Sequence, residues 1–410
     1  MTILKFEIKK MLCAKTSIAA IGFLILLAVG LCIGYIYGGY YVQEDGSKIR
    51  GIKAAVKMQE AKEPWEGMVT EEVVARVIEE NNKLHANPSY IGTDGWLSDE
   101  GYSRQQGFED LRNLINVTYG KSFSDYDYYT CDRLSPDDAT GFYDKKEAVF
   151  DEWLEREEVI QTFSDEKRAY IREHALNVET PYYYEYYDGW KKVKEMNLTL
   201  VFGTVIVICI VLAGNFSAEC QTKADAIYFS TCLGKKTGNK MKIAAGFILA
   251  TVIYWGTMLL GSGILLLAYS TSGGTVPVQL EFYKGLYSLT QTQAWILILL
   301  LGYIGCMSMS GLTMLMSSEF KSSFVAIILA FLIIMVPAIA TQSVYNSFWK
   351  DVLSLFPHGT IMGYDYLTTY VLYQFGGRVY SPFEILMPLH VLFTIVTIPI
   401  TYYSFQKYKA

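Results

Sequence analysis

Residues 215–242, NFSAECQTKADAIYFSTCLGKKTGNKMK, are polar and sit between two apolar runs of membrane-spanning length, 198–213 and 243–269. A connection this short cannot hold a domain. It can hold one amphipathic turn or helix, and Asp225, Ala226, Ile227, Tyr228 and Phe229 suit one, with apolar residues behind an acidic start. Five lysines, Lys223, Lys235, Lys236, Lys240 and Lys242, stand against Glu219 and Asp225. That basic excess predicts a cytoplasmic loop. A polar element held there between two spans is placed to pass force from a soluble partner into the membrane. Glu219 lies just past the first of these runs, where it can pair with a basic group or cap a helix. The plainer reading is a solvated carboxylate balancing nearby lysines. We favour the pairing role.

Working outward, the chain divides by composition. It has 410 residues, 51% of them hydrophobic, and a formal net charge of −6. Nearly all the acidic residues fall between Glu44 and Glu195, and the rest is apolar. This predicts a membrane protein with one soluble domain. Of the cysteines only Cys131 lies in the polar region, so that domain closes no internal disulfide. No Cys/His spacing suggests a metal site, and none is expected.

Residues 1–15 read as an amphipathic helix, with Leu4, Ile8, Met11 and Leu12 on one face among lysines. It is either an interfacial helix on the inner leaflet or a basic flank that sets topology. The first span is 17–38, an uncleaved anchor. Its Gly30, Gly34 and Gly38 recur at four-residue spacing, which permits close helix packing. We favour packing within one subunit over a dimer interface.

Residues 40–196 form a soluble region predicted to lie outside. Its apolar stripes, such as Val73, Val74, Val77, Ile78 and Leu84, have helical spacing, and Thr70, Ser135 and Ser164 are N-cap candidates. The domain should be mostly helix with few strands. Its tyrosine-rich end, from Pro181 to Trp190, reads as an aromatic belt at the bilayer surface. Further spans are 198–213, 243–269, 295–314, 323–340 and 383–403. The fourth is rich in small residues (Gly302, Gly305, Ser308, Ser310, Gly311), which predicts tight packing. Residues 341–382 suit short helices lying on or dipping into the outer leaflet. The fold class is therefore an all-α membrane protein of six helices with a helical domain inserted between the first two. Both termini are expected in the cytoplasm.

The spans hold almost no ionisable side chains. Glu384 and His390 in the last span are exceptions, read as an interfacial acid and a hydrogen-bonded packing histidine. Ion-coupled transport and intramembrane proteolysis need such groups inside the membrane. No phosphate-cradling loop is present either, since Phe229 and Lys236 occupy key positions of the nearest match. The chain is not expected to be an enzyme or to bind a cofactor.

Taken together, Glu219 past a span, a small helix, the turn Ser230-Thr-Cys-Leu-Gly-Lys-Lys-Thr-Gly, and Lys242 opening the next span resemble the coupling loop of type-2 ABC exporter permeases. The likeness is to those of Gram-positive bacteria that carry a large domain between the first two spans. The six-span layout and the step Leu353-Ser-Leu-Phe-Pro357 are similar too. The chain departs from the family in Cys232-Leu233 and in Ala226-Ile-Tyr-Phe. The resemblance implies a plasma-membrane permease that pairs with a second permease subunit and with separate ATPase subunits, which bind ATP and Mg. It implies that Glu219, Asp225, Ala226, Ile227, Tyr228, Phe229 and Leu233 couple the ATPase to the spans. The cargo would be lipophilic or amphipathic, such as an antimicrobial peptide or drug, and no nucleic acid is expected. Two rivals remain: a membrane-anchored sensor binding a peptide or cell-wall fragment, and an envelope enzyme acting from the domain.

Overall fold

The computed structural model describes residues 2–93, 95–120, 126–224, 228, 230–231, 234–343 and 347–407. Six helices are long and apolar enough to cross a membrane. They are Lys15–Gly38, Asp188–Gln221, Asn239–Tyr269, Gln291–Phe320, Ser323–Ser343 and Pro382–Gln406. We call them the first to sixth spans. The chain is a multi-pass membrane protein.

The fourth span is central, and its small residues explain why. A Cβ added at Gly302 would lie 2.6 Å from Tyr254 Oη, one at Gly305 would lie 1.7 Å from Thr360 Oγ1, and one at Gly311 would lie 2.3 Å from Thr397 Oγ1. Three neighbours, the third span, the 357–360 turn and the sixth span, therefore approach to backbone distance. That turn, Pro357–Thr360, is fully buried and meets the fourth span near its middle. Part of the 341–382 segment therefore packs in among the helices. His390 is buried against the same place, with Nδ1 3.0 Å from Ser308 Oγ and Nε2 3.1 Å from the Leu355 carbonyl. Glu384 caps the sixth span, accepting from Ser381 N at 2.7 Å.

The first-span glycines behave differently. Gly30, Gly34 and Gly38 are exposed, and no atom lies within 4 Å of a Cβ placed at any of them. The intrasubunit packing read from their spacing is absent among the described residues. The first span instead packs through Ala20, Leu24, Ala28 and Cys32, on the opposite face.

The second span is a single helix of 34 residues. At 1.5 Å per residue it reaches about 51 Å, well beyond the hydrocarbon thickness. It starts against the domain between the first and second spans, where Asp188 accepts from Lys62, and it is long enough to extend beyond a bilayer core. Gly214 does not end it, contrary to the sequence reading. A helical Gly costs about 1 kcal/mol, but the residues that follow it (Asn215, Phe216, Ser217) are buried. The fourth span supports this turn, because Ser317 Oγ accepts from Phe216 N and Ser217 N, both at 3.1 Å, and donates to the Ala213 carbonyl at 2.6 Å.

The domain between the first and second spans is built of helices, with short two-stranded pairs such as Gly67–Met68 against Tyr183–Tyr184. Thr70 and Ser164 cap helices Glu71–Ala86 and Asp165–Leu176 as their positions predict. Ser135 caps only a short 3-10 turn, Pro136–Ala139, because Gly141 turns the chain with φ +71° before the next helix, Phe142–Leu154. The tyrosine run is not a lipid-facing belt. Tyr182, Tyr184, Tyr186 and Tyr187 are at most 2% exposed and belong to the domain's interior. Val276 and Leu280, from the connection between the third and fourth spans, complete that core. Lys62 ties the domain to the second span, donating to Asp110 at 2.7 Å and Asp188 at 2.8 Å. Burial pulls the Lys62 ammonium down, but the two carboxylates more than reverse this and hold it above the usual lysine range.

Candidate functional site

At the end of the spans away from the domain, the N-terminal helix Thr2–Leu12 lies against the second and third spans. Leu4, Ile8 and Met11 turn toward them, as the apolar stripe predicts. Leu12 and Phe6 remain exposed. Glu7 falls within the same stripe and is only 4% exposed. A carboxylate buried there needs a cation, and Lys242, fully buried at the start of the third span, supplies it.

Lys242 Nζ has three donors and uses all of them. It donates to Glu7 Oε2 at 3.0 Å, to Glu219 Oε1 at 2.5 Å and to the Asn215 carbonyl at 3.0 Å. Lys10 reaches back from the N-terminal helix to the same Glu219 oxygen. Asn215 Nδ2 returns a bond to the Lys242 carbonyl at 3.1 Å. Two acids and two lysines thus form a neutral cluster that joins three segments far apart in sequence. The rings of Tyr228 and Phe216 stand 5.5 and 5.9 Å from the ammonium. Phe405, at the end of the sixth span, closes this aromatic wall 4.8 Å from Phe216.

Tyr228 also fixes the loop to the third span, donating to Asn239 Oδ1 at 3.0 Å. Burial pushes its phenol well above the usual tyrosine range, and the Glu7 and Glu219 charges add to this. A π-helical turn, Gly234–Gly238, leads into the third span beneath it. A Cβ at Gly238 would lie 2.3 Å from Tyr228 Oη, so glycine lets the ring approach.

Of the residues read as coupling groups, Glu219 and Tyr228 come together around Lys242. Asp225, Ala226, Ile227, Phe229 and Leu233 lie outside the described residues. The pairing role of Glu219 is what the geometry displays, since its carboxylate is buried and doubly paired rather than solvated. Glu7 was missed because it sits among lysines, where an acid reads as surface. The signal is its register, three residues after Leu4 and four before Met11, on the apolar face.

A second buried ion was missed as well. Lys194 is fully buried in the domain-side part of the second span, where it pairs with Glu281 and donates to Gln291 Oε1 at 2.5 Å. Reading 40–196 as soluble, with the span beginning at 198, left Lys194 on the solvent side and hid it. Among the described residues no group of His, Cys, Asp and Glu is placed to hold a metal ion. No family model matches the chain, and no curated protein or solved structure matches it either.

Proposed function

We propose that this chain is the permease subunit of an ATP-driven exporter resembling the type-2 ABC class. It would work with separate ATPase subunits and a second permease subunit, moving a lipophilic or amphipathic cargo out of a bacterial cell across the plasma membrane. In this reading both termini are cytoplasmic and the large domain is extracellular. The lysine-rich connection between the second and third spans supports that orientation. ATP and Mg would be bound by the partner, and this chain would itself catalyse nothing.

The observation that carries the reading is the Glu7–Lys242–Glu219–Lys10 cluster. A partner pressing on the N-terminal helix or on the 222–238 connection would load one charge-locked joint, from which the second and third spans both lead. Such a joint suits the transfer of mechanical work. The test is co-purification of the chain with a span-less ABC ATPase, followed by ATP hydrolysis in lipid. Glu219→Ala should leave assembly intact and lower cargo-stimulated hydrolysis. Absence of any ATPase complex would remove the exporter reading and favour the sensor, in which the domain binds a ligand and the spans only signal.

A further inference from the structure

A cavity of about 610 Å³ opens where three parts of the chain meet on the domain side. The domain contributes Phe163 and Lys167, the end of the fifth span contributes Ala338, and the segment before the sixth span contributes His358, Asp365 and Val371. Its wall is apolar along Phe163, Val371 and Ala338. Its polar groups are unevenly matched. Lys167 is paired with Asp351 at 3.7 Å. Lys350 is exposed. The Asp365 carboxylate has no hydrogen bond or ion pair among the described residues, although it is half-buried. His358 is 3% exposed, and its buried Nδ1 has no partner among the described residues.

A buried ring nitrogen without a partner has lost its water and gained nothing in exchange, and a polar group of a ligand would supply the missing bond. No ion pair compensates Asp365 among the described residues, and burial raises its carboxyl above the ordinary range. A ligand that brings a cationic donor next to an apolar body would answer all three features. The ammonium would meet Asp365, a polar N–H or oxygen would meet His358, and the apolar part would lie along Phe163 and Val371.

We propose that this cavity binds an amphiphile carrying a primary amine, held between the soluble domain and the membrane-dipping segment. The site is independent of the exporter reading, because it lies within this chain alone and needs no ATPase. A bound molecule would bridge the domain to the 347–372 segment and so fix one relative to the other.

The test uses the full chain in phosphatidylcholine nanodiscs, titrated with dansylcadaverine, whose emission shifts to the blue on burial. Its hydroxyl and carboxylate analogues serve as matched probes. The amine should bind saturably, and at least tenfold more tightly than either analogue. Asp365→Asn should weaken the amine at least tenfold, while leaving the hydroxyl analogue unchanged. Ala338→Phe, which fills the cavity, should abolish saturable binding of the amine. Equal binding of all three probes would mean bilayer partitioning and overturn the proposal. So would absence of saturable binding to the unaltered chain, which would make the cavity a water-filled junction. The three-probe comparison on the unaltered chain decides the matter even where a variant fails to fold.

Discussion

Replacing Lys242 by Met should unlock the N-terminal helix. The ammonium is fully buried and satisfies Glu7, Glu219 and the Asn215 carbonyl at once. Its loss leaves two carboxylates, each with a side chain 6% exposed: Glu219 keeps Lys10, and Glu7 keeps no ion pair among the described residues. Breaking a buried pair by removing one partner costs about 3–5 kcal/mol. Because Lys10 is one-third exposed and still reaches Glu219, the lower end applies, about 3 kcal/mol. That corresponds to roughly a 150-fold rise in local opening, at 1.36 kcal/mol per tenfold. Hydrogen exchange of residues 2–12 in nanodiscs reads it directly. Glu7→Gln in the same background removes the stranded charge, so the double variant should recover part of the protection. The coupling between the two sites should be about 2 kcal/mol. Exchange within threefold of the unaltered chain for Lys242→Met, or effects of the two changes that simply add, would refute the view that this cluster holds the helix down.

Other outcomes follow from burial. Cys131 is fully buried, and burial pushes its thiol up to about 12, so a membrane-impermeant thiol reagent should modify it only after unfolding; rapid labelling of the native protein would contradict this, and sidedness is better read from exposed Cys13. Lys146 is buried without an ion pair among the described residues, and burial pushes its amine down to about 8. Its folded-state value lies below the unfolded one, so stability is reduced below pH 8 and recovers as pH rises from 8 toward 10.5. Lys146→Met should therefore stabilise the domain by on the order of 3 kcal/mol at pH 7, with the gain shrinking by pH 10 in thermal denaturation. A gain that does not vary with pH would sink the titration argument. Gly305→Ala drives a methyl into Thr360 and should cost about 1–3 kcal/mol, whereas Gly34→Ala meets nothing in the chain and should leave its melting temperature unchanged or slightly higher.

The readable and unreadable parts of this chain separate along physical lines. Runs of apolar residues and helical stripes are local properties, so the six spans and the helical domain were visible before any coordinates. The small residues of the fourth span pointed correctly to close approach, because Gly305 and Gly311 can be read without knowing what approaches. The same logic failed for Gly30, Gly34 and Gly38, since spacing states what a helix permits and not what stands opposite. Glu219 was legible through its position just past a span. Its partners were not, since Glu7, Lys10 and Lys242 meet only once three distant helices are in register. The tyrosines near Tyr184 were misjudged for a related reason: an amphipathic ring suits a bilayer surface and a domain core equally, and composition cannot choose between them.

The second span carries a buried or half-buried ion at three levels: Asp188 at the domain, Lys194 below it and Glu219 at the end far from the domain. Asp188 and Glu219 are 31 residues apart on one unbroken helix, about 46 Å along its axis. Free energy is a state function, so any influence along this rod runs equally both ways. If a molecule held by the domain shifts the rod and thereby changes how tightly something binds near Glu219, the second binder must change the domain's affinity by the same factor. A weak effector at one end can thus be measured at the other. In that case an affinity measured at the domain would gauge what is bound near Glu219.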